Sequence, residues 1–184
     1  MIQVKLQSEI ILPGTFQLQG CGDLGNLSEF VGSPDPLTPA AGFPASPFQH
    51  GNLIQNRLVH TDQPWEVKLS WTVGGIMAHC VDPRFVWEIE VLLEQWGFNE
   101  FAFPPRSGKT TVTYGSGTVA GSGPTQTISY PGSNATTVSI PAGTIPAGVY
   151  SVVAVLRLLE ADGQTPCFLA AFAEFGKIDF YDGH

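Results

Sequence analysis

The run Met77-Ala78-His79-Cys80-Val81-Asp82 places an imidazole, a thiol and a carboxylate within a few positions of one another. A thiol beside a base is a nucleophile, and the same three groups are metal ligands. As a catalytic site the run is incomplete. Neighbouring residues on an extended strand point to opposite faces, so His79 reaches Cys80 only where the chain bends. His50 and His60 are the other candidate bases, and nothing in the sequence orients them. Zinc sites usually announce themselves through closely spaced cysteine pairs, and Cys21, Cys80 and Cys167 are far apart. The expectation is therefore no catalytic residue, no resident metal and no cofactor.

Two further stretches resemble chemistry. Gly108-Lys109-Thr110 matches the tail of a phosphate loop, but the pattern needs a glycine where Phe103 stands and a helix where "TVTYGSG" reads as strand or loop. Glu88, Glu90 and Glu94 suggest paired acids; the first two share a strand face about 6 to 7 Å apart. The simpler reading is a solvated face that keeps an apolar sheet in water and discourages edge pairing.

The elements that must position these groups are strands. In "WEVKLSWTV" (65–73), Trp65, Val67, Leu69, Trp71 and Val73 alternate with Glu66, Lys68, Ser70 and Thr72. That period of two is a half-buried strand. In "FVWEIEVLLEQW" (85–96), Phe85, Trp87, Ile89, Val91 and Leu93 face inward, and the β-branched and aromatic content decides against helix. "TTVTYGSGTV", "TQTISY" and "TTVSI" are shorter strands. Tyr150, Val152, Ala154, Leu156 and Leu158 form one face of a long strand whose other face is also partly apolar, as in a central strand. "FLAAFAEF" and "KIDFY" follow a turn.

Composition agrees. Of 184 residues, 13% are charged against 43% apolar, with 21 Gly and 15 Pro. Few charges and many turn residues suit short strands, and a charge share about half the usual implies neutral or apolar surface that a partner covers. A net charge of −8 with only 8 Lys and Arg disfavours nucleic acid and anionic membranes. The sequence shows no apolar run of spanning length. "MIQVKLQSEIILPG" reads as mature sequence rather than a signal peptide, which points to a cytoplasmic location. Residues 1–56 are Pro- and Gly-rich with scattered Phe16, Phe30, Phe43 and Phe48. They read as an extended N-terminal arm ahead of a β-sandwich domain at 57–184.

About seven strands with turns between them suggest an immunoglobulin-like antiparallel β-sandwich. Ala147-Gly148-Val149-Tyr150-Ser151-Val152 resembles the corresponding immunoglobulin segment, with Val152 where a cysteine would sit, and Trp87 resembles the buried core tryptophan. The resemblance is architectural and covers roughly residues 57–181. It implies that Tyr150 pins a corner through its hydroxyl, although the inter-sheet cysteines are missing: Leu69 or Trp71 occupies one position. It also implies that the loops around 74–84 and 161–167 emerge at one end. His79, Asp82, Arg84, Asp162 and Gln164 are then the candidate binding residues. Cys80 and Cys167 become neighbours: two unlinked thiols, a disulfide, or two ligands of a metal completed by His79 and Asp82.

Two functions follow as expectations. The first is a non-enzymatic structural or assembly protein that self-associates or docks on a larger complex through its arm. The second is a protein- or glycan-binding module using that loop end.

Overall fold

A computed structural model describes residues 2–10, 16–26, 58–96, 100–101 and 108–182. Its described residues are strands joined by turns and short 3-10 segments, and they form two packed sheets.

Sheet A runs in the order β1 (Ile2–Lys5), β3 (Gln17–Asn26), β5 (Trp65–Gly74), β10 (Thr127–Tyr130) and β9 (Thr118–Ala120). β11 (Thr137–Ile140) pairs with the first half of β5, and β10 pairs with its last residues. Sheet B runs β2 (Gln7–Ile10), β13 (Pro166–Tyr181), β12 (Gly148–Leu159), β6 (Val86–Gln95) and β7 (Glu100–Phe101). β8 (Lys109–Thr113) also pairs with β6, and β4 (Leu58–His60) pairs with β13 as a parallel strand.

The alternation read from the sequence sets which side chains meet. Trp65, Val67, Leu69, Trp71 and Val73 on β5 and Trp87, Ile89, Val91 and Leu93 on β6 are all essentially inaccessible. Rings from the two sheets touch across the gap: Trp65 and Phe180 at 5.5 Å between centroids, Trp71 and Trp87 at 5.7 Å. β12 is the central strand expected from its two apolar faces, with β6 on one side and β13 on the other.

Three departures from the sequence reading have physical causes. First, the stretch read as an arm supplies β1, β2 and β3 to the two sheets, while 27–57 lies outside the described residues. β3 pairs with β5 from Gln17 to Asn26. Glycines obscured its pattern, because two positions facing the core, Gly20 and Gly22, carry no side chain to mark them. A Cβ on Gly20 would lie 2.3 Å from the Ser70 carbonyl oxygen and 2.6 Å from Leu6; one on Gly22 would lie 2.9 Å from Leu69 and from Phe175. Neighbours already fill the space.

Second, "FLAAFAEF" and "KIDFY" are one strand. A bulge opposite Val152 and Val153, with Gly176 at φ 75°, inserts a residue and reverses which parity faces inward. Leu169, Ala171, Ala173 and Phe175 point to the core before it, Ile178 and Phe180 after it. Third, among the described residues ten strands rather than about seven follow residue 57, in part because the stretch read as one strand at 110–119 divides between the two sheets. β1 passes to β2 through Leu6, and β8 passes to β9 through the 3-10 turn Tyr114–Ser116, each time changing sheet.

Candidate functional site

The register Leu159↔Val86 brings the turn before β6 and the turn after β12 to the same end of sheet B. The first turn is fixed by Ala78. Its side chain is fully buried, its N–H donates to the Gly75 carbonyl at 3.1 Å, and its carbonyl accepts from the Tyr114 hydroxyl at 2.8 Å. The segment Ala78–Cys80 is a 3-10 turn rather than a strand, so consecutive side chains are no longer opposed. His79 Nε2 therefore comes within 3.4 Å of Cys80 Sγ, both side chains being exposed.

Asp82 faces Arg84. The Arg84 backbone N–H donates to Oδ1 at 2.8 Å, and its guanidinium donates at 2.7 Å from Nη2 to Oδ2 and at 3.1 Å from Nε to Oδ1. The hydrogen bond from this guanidinium is the main cause that holds the Asp82 carboxyl at about 2. In the second turn, Asp162 accepts from the backbone N–H of Gln164 and Thr165 at 2.8 and 2.9 Å and from the Thr165 hydroxyl at 2.6 Å. The Thr165 hydroxyl leads the causes that lower its carboxyl below the usual range. Each carboxylate thus closes its own turn, an Asx arrangement that stabilises a loop without a ligand.

Cys80 and Cys167 share this end as thiols, not as a disulfide. Cys167 is half-buried near the start of β13, and burial pushes its thiol up. Cys21 lies elsewhere, on β3, with Sγ 3.1 Å from Ser70 Oγ. Among the described residues no three His, Cys, Asp or Glu side chains are grouped to hold a metal ion. Lys109 opens a strand, β8, and its ammonium lies 2.7 Å from Glu90, so the GKT stretch is sheet surface.

Tyr150 is buried at the start of β12 and meets Phe180 edge to face at 5.5 Å. Burial raises its hydroxyl's pKa. Two tyrosines that the sequence reading passed over make buried ties. Tyr130 donates to the Tyr114 carbonyl at 2.5 Å, and Tyr114 donates to Ala78 as above. With Trp71 and Trp87 they form an aromatic cluster, Tyr130 stacking on Trp71 at 4.7 Å. Burial pushes Tyr130 up to about 12 and Tyr114 higher still.

The other feature missed is the outer face of sheet B. Arg157 bridges the carboxylates of Glu88 and Glu90, each at 2.5 Å, and Lys109 completes the cluster. Beside it the register aligns Leu92 with Val153, and Val155 with Phe172. Leu92 is 47% exposed and Trp96, just past the end of β6, is 68% exposed with Lys177 Nζ 3.4 Å from its ring centroid. The sequence held a signal for this lane. In the outward series Glu88, Glu90, Leu92, Glu94, one residue is apolar.

No protein-family model matches the chain, and no curated protein matches its sequence. No helix among the described residues is long and apolar enough to cross a membrane.

Proposed function

We propose that the chain is a non-enzymatic structural or assembly protein that self-associates, docking the outer face of sheet B on a second copy. The observation that carries this reading is the lane of Leu92, Val153, Val155 and Phe172, continued by Trp96. Leu92 and Trp96 stand exposed beside half-buried Val153, Val155 and Phe172, and large apolar side chains left exposed on one face mark an interaction surface. Both signs of charge flank the lane, Glu88, Glu90, Glu94 and Glu174 against Lys109, Arg157 and Lys177. A patch that carries both signs can face its own copy across a two-fold axis. Burial of Trp96 and Leu92 supplies the driving force, about 25 cal/mol for each Å² of apolar surface covered. The immunoglobulin-like topology belongs to the same proposal. Its support is the splitting of the N-terminal chain between the sheets, buried Trp87 on β6 and buried Tyr150 opening β12. A cytoplasmic location fits Cys80 and Cys167 as thiols.

The arm remains a second route to assembly through residues 27–56, which hold Phe30, Phe43 and Phe48. Light scattering separates the two. The expected result is a mass above the 19.7 kDa of one chain, reduced to one chain by Leu92→Asp and unchanged by Gln19→Asp on the outer face of sheet A. Loss of mass on changing Phe30, Phe43 and Phe48 to Ser, with Leu92→Asp neutral, would transfer the role to the arm. A wild-type chain that stays monomeric at every concentration overturns self-association. The alternative module at 74–84 and 161–167 is favoured by the exposure of Ile76 and Met77 at that end. It predicts that changes at His79, Asp82, Arg84, Asp162 and Gln164 alter ligand binding while the mass stays constant.

A further inference from the structure

The turn that presents His79 and Cys80 is rigid at its base and open at its tip. Ala78 is buried and both its backbone groups are bonded, while the two side chains that follow stand in solvent. A thiol reacts as its thiolate, and a base within hydrogen-bond reach supplies the route for the proton. Cys80 Sγ has such a base in His79 Nε2 at 3.4 Å. Asp82, two residues on, is held by Arg84 in paired contacts, so its negative charge is compensated. Ile76 and Met77, 52% and 42% exposed, lie on the same turn and offer an apolar flank to an organic group. The other cysteines lack this setting: Cys167 is half-buried on a strand and Cys21 contacts Ser70 within a sheet.

We propose that Cys80 is a thiol–disulfide exchange site that takes small organic disulfides and forms a mixed disulfide with one half of them. The Cys80 proton passes to His79 Nε2. The thiolate attacks one sulfur of the disulfide, the new S–S bond forms as the old one breaks, and the departing thiolate takes up a proton from the imidazolium or from water. Cys80 is oxidised and the released half of the disulfide is reduced, so no further oxidant enters. His79 is a proton acceptor for the thiol, and Ile76 and Met77 contact the incoming group. The modification places a new group at the turn end, away from the Leu92 lane, and so stands independently of self-association.

The test is incubation of the full-length chain with oxidised glutathione at neutral pH, followed by proteolysis and mass spectrometry of each cysteine-containing peptide over time. Cys80 is expected to be modified about tenfold faster than Cys167, with His79→Gln slowing Cys80 several-fold and leaving Cys167 unchanged. Both side chains are exposed, so this variant tests chemistry rather than folding. The same measurement on the chain unfolded in urea gives the rate of an unassisted thiol. A folded Cys80 that reacts no faster than its unfolded counterpart, or that ignores His79→Gln, overturns the proposal.

Discussion

The outer faces of the two sheets are built from different residues although their inner faces are alike. On sheet A the outward positions are polar or charged: Gln17 and Gln19 on β3, Glu66, Lys68, Ser70 and Thr72 on β5, Thr127 and Ser129 on β10. Neighbouring strands bond through them, Thr72 to Ser129 and Cys21 to Ser70, each at 3.1 Å. Such a face is complete in water. On sheet B the equivalent positions are Glu88, Glu90, Leu92, Val153, Val155 and Phe172, with the carboxylates held by Arg157 and Lys109. Cross-strand pairing is satisfied there too, but an apolar lane remains. Solubility and strand pairing do not account for sheet B's composition, since the described residues of sheet A meet both needs with Val119 on the edge strand β9 as their one exposed large apolar side chain.

The largest effect is expected inside sheet A, where β3 is seated by the absence of side chains. Gly20→Val would drive a branched Cβ toward the Ser70 carbonyl, which lies 2.3 Å from the Cβ position and is backbone that cannot turn aside. A loss of about 3 kcal/mol or more is expected, read as a lowered urea midpoint. Ser151→Val on the outer face of sheet B should stay within about 0.5 kcal/mol. Equal midpoints for the two variants would mean that β3 is not packed against β5 as described.

The next effect tests what the sheets share, the aromatic cluster where both close. Tyr130 holds its proton up to about 12 in the folded chain because burial disfavours the phenolate, against about 10 when unfolded. Between these values the folded state binds more protons than the unfolded, so its stability is fully present below about pH 10 and falls as pH rises toward 12. Tyr114, raised further, adds to the same slope. Urea titrations at pH 8 and pH 11 should show the decline, and Tyr130→Phe should flatten it. The variant also loses the bond to the Tyr114 carbonyl, about 1 kcal/mol at neutral pH. A stability that does not change between the two pH values breaks the assignment.

These residues also show what the sequence made legible. β5, β6 and β12 were readable because their inward positions carry large apolar side chains, Ala154 on β12 apart, which makes the period of two visible. β3 was not, since Gly20 and Gly22 are filled by Leu6, Leu69 and Phe175 from elsewhere in the chain. The break in β13 misled for a related reason: one inserted residue at Gly176 reverses the parity and imitates two strands. At the candidate site, the residues at 79–84 and 162–164 were readable from their types. The 3-10 turn that brings His79 to Cys80 was not, because it depends on a hydroxyl from Tyr114, distant in sequence. Leu92 was visible in its run of glutamates, but its neighbours Val153 and Phe172 come together only through strand register.

The smallest effect separates the outer faces by their charges. Arg157→Met would leave Glu88 and Glu90 side by side with only Lys109 between them; their side chains are 14% and 18% exposed, so water compensates them poorly. Arg157 itself is 37% exposed, which screens the pair and limits the expected loss to about 1 kcal/mol. Lys68→Met on sheet A removes one contact of 3.7 Å to Glu66 and should cost a few tenths of that. Salt sharpens the contrast. At about 1 M the screening length falls to about 3 Å, so the repulsion between the two glutamates weakens and Arg157→Met recovers part of its deficit, while Lys68→Met scarcely moves. Adding Glu88→Gln and Glu90→Gln to Arg157→Met should restore most of the loss at low salt, because the cost lies in uncompensated charge rather than in the missing guanidinium. An Arg157→Met variant no weaker than Lys68→Met, at any salt, would make the two faces electrostatically equivalent and leave the lane at Leu92 as their sole distinction.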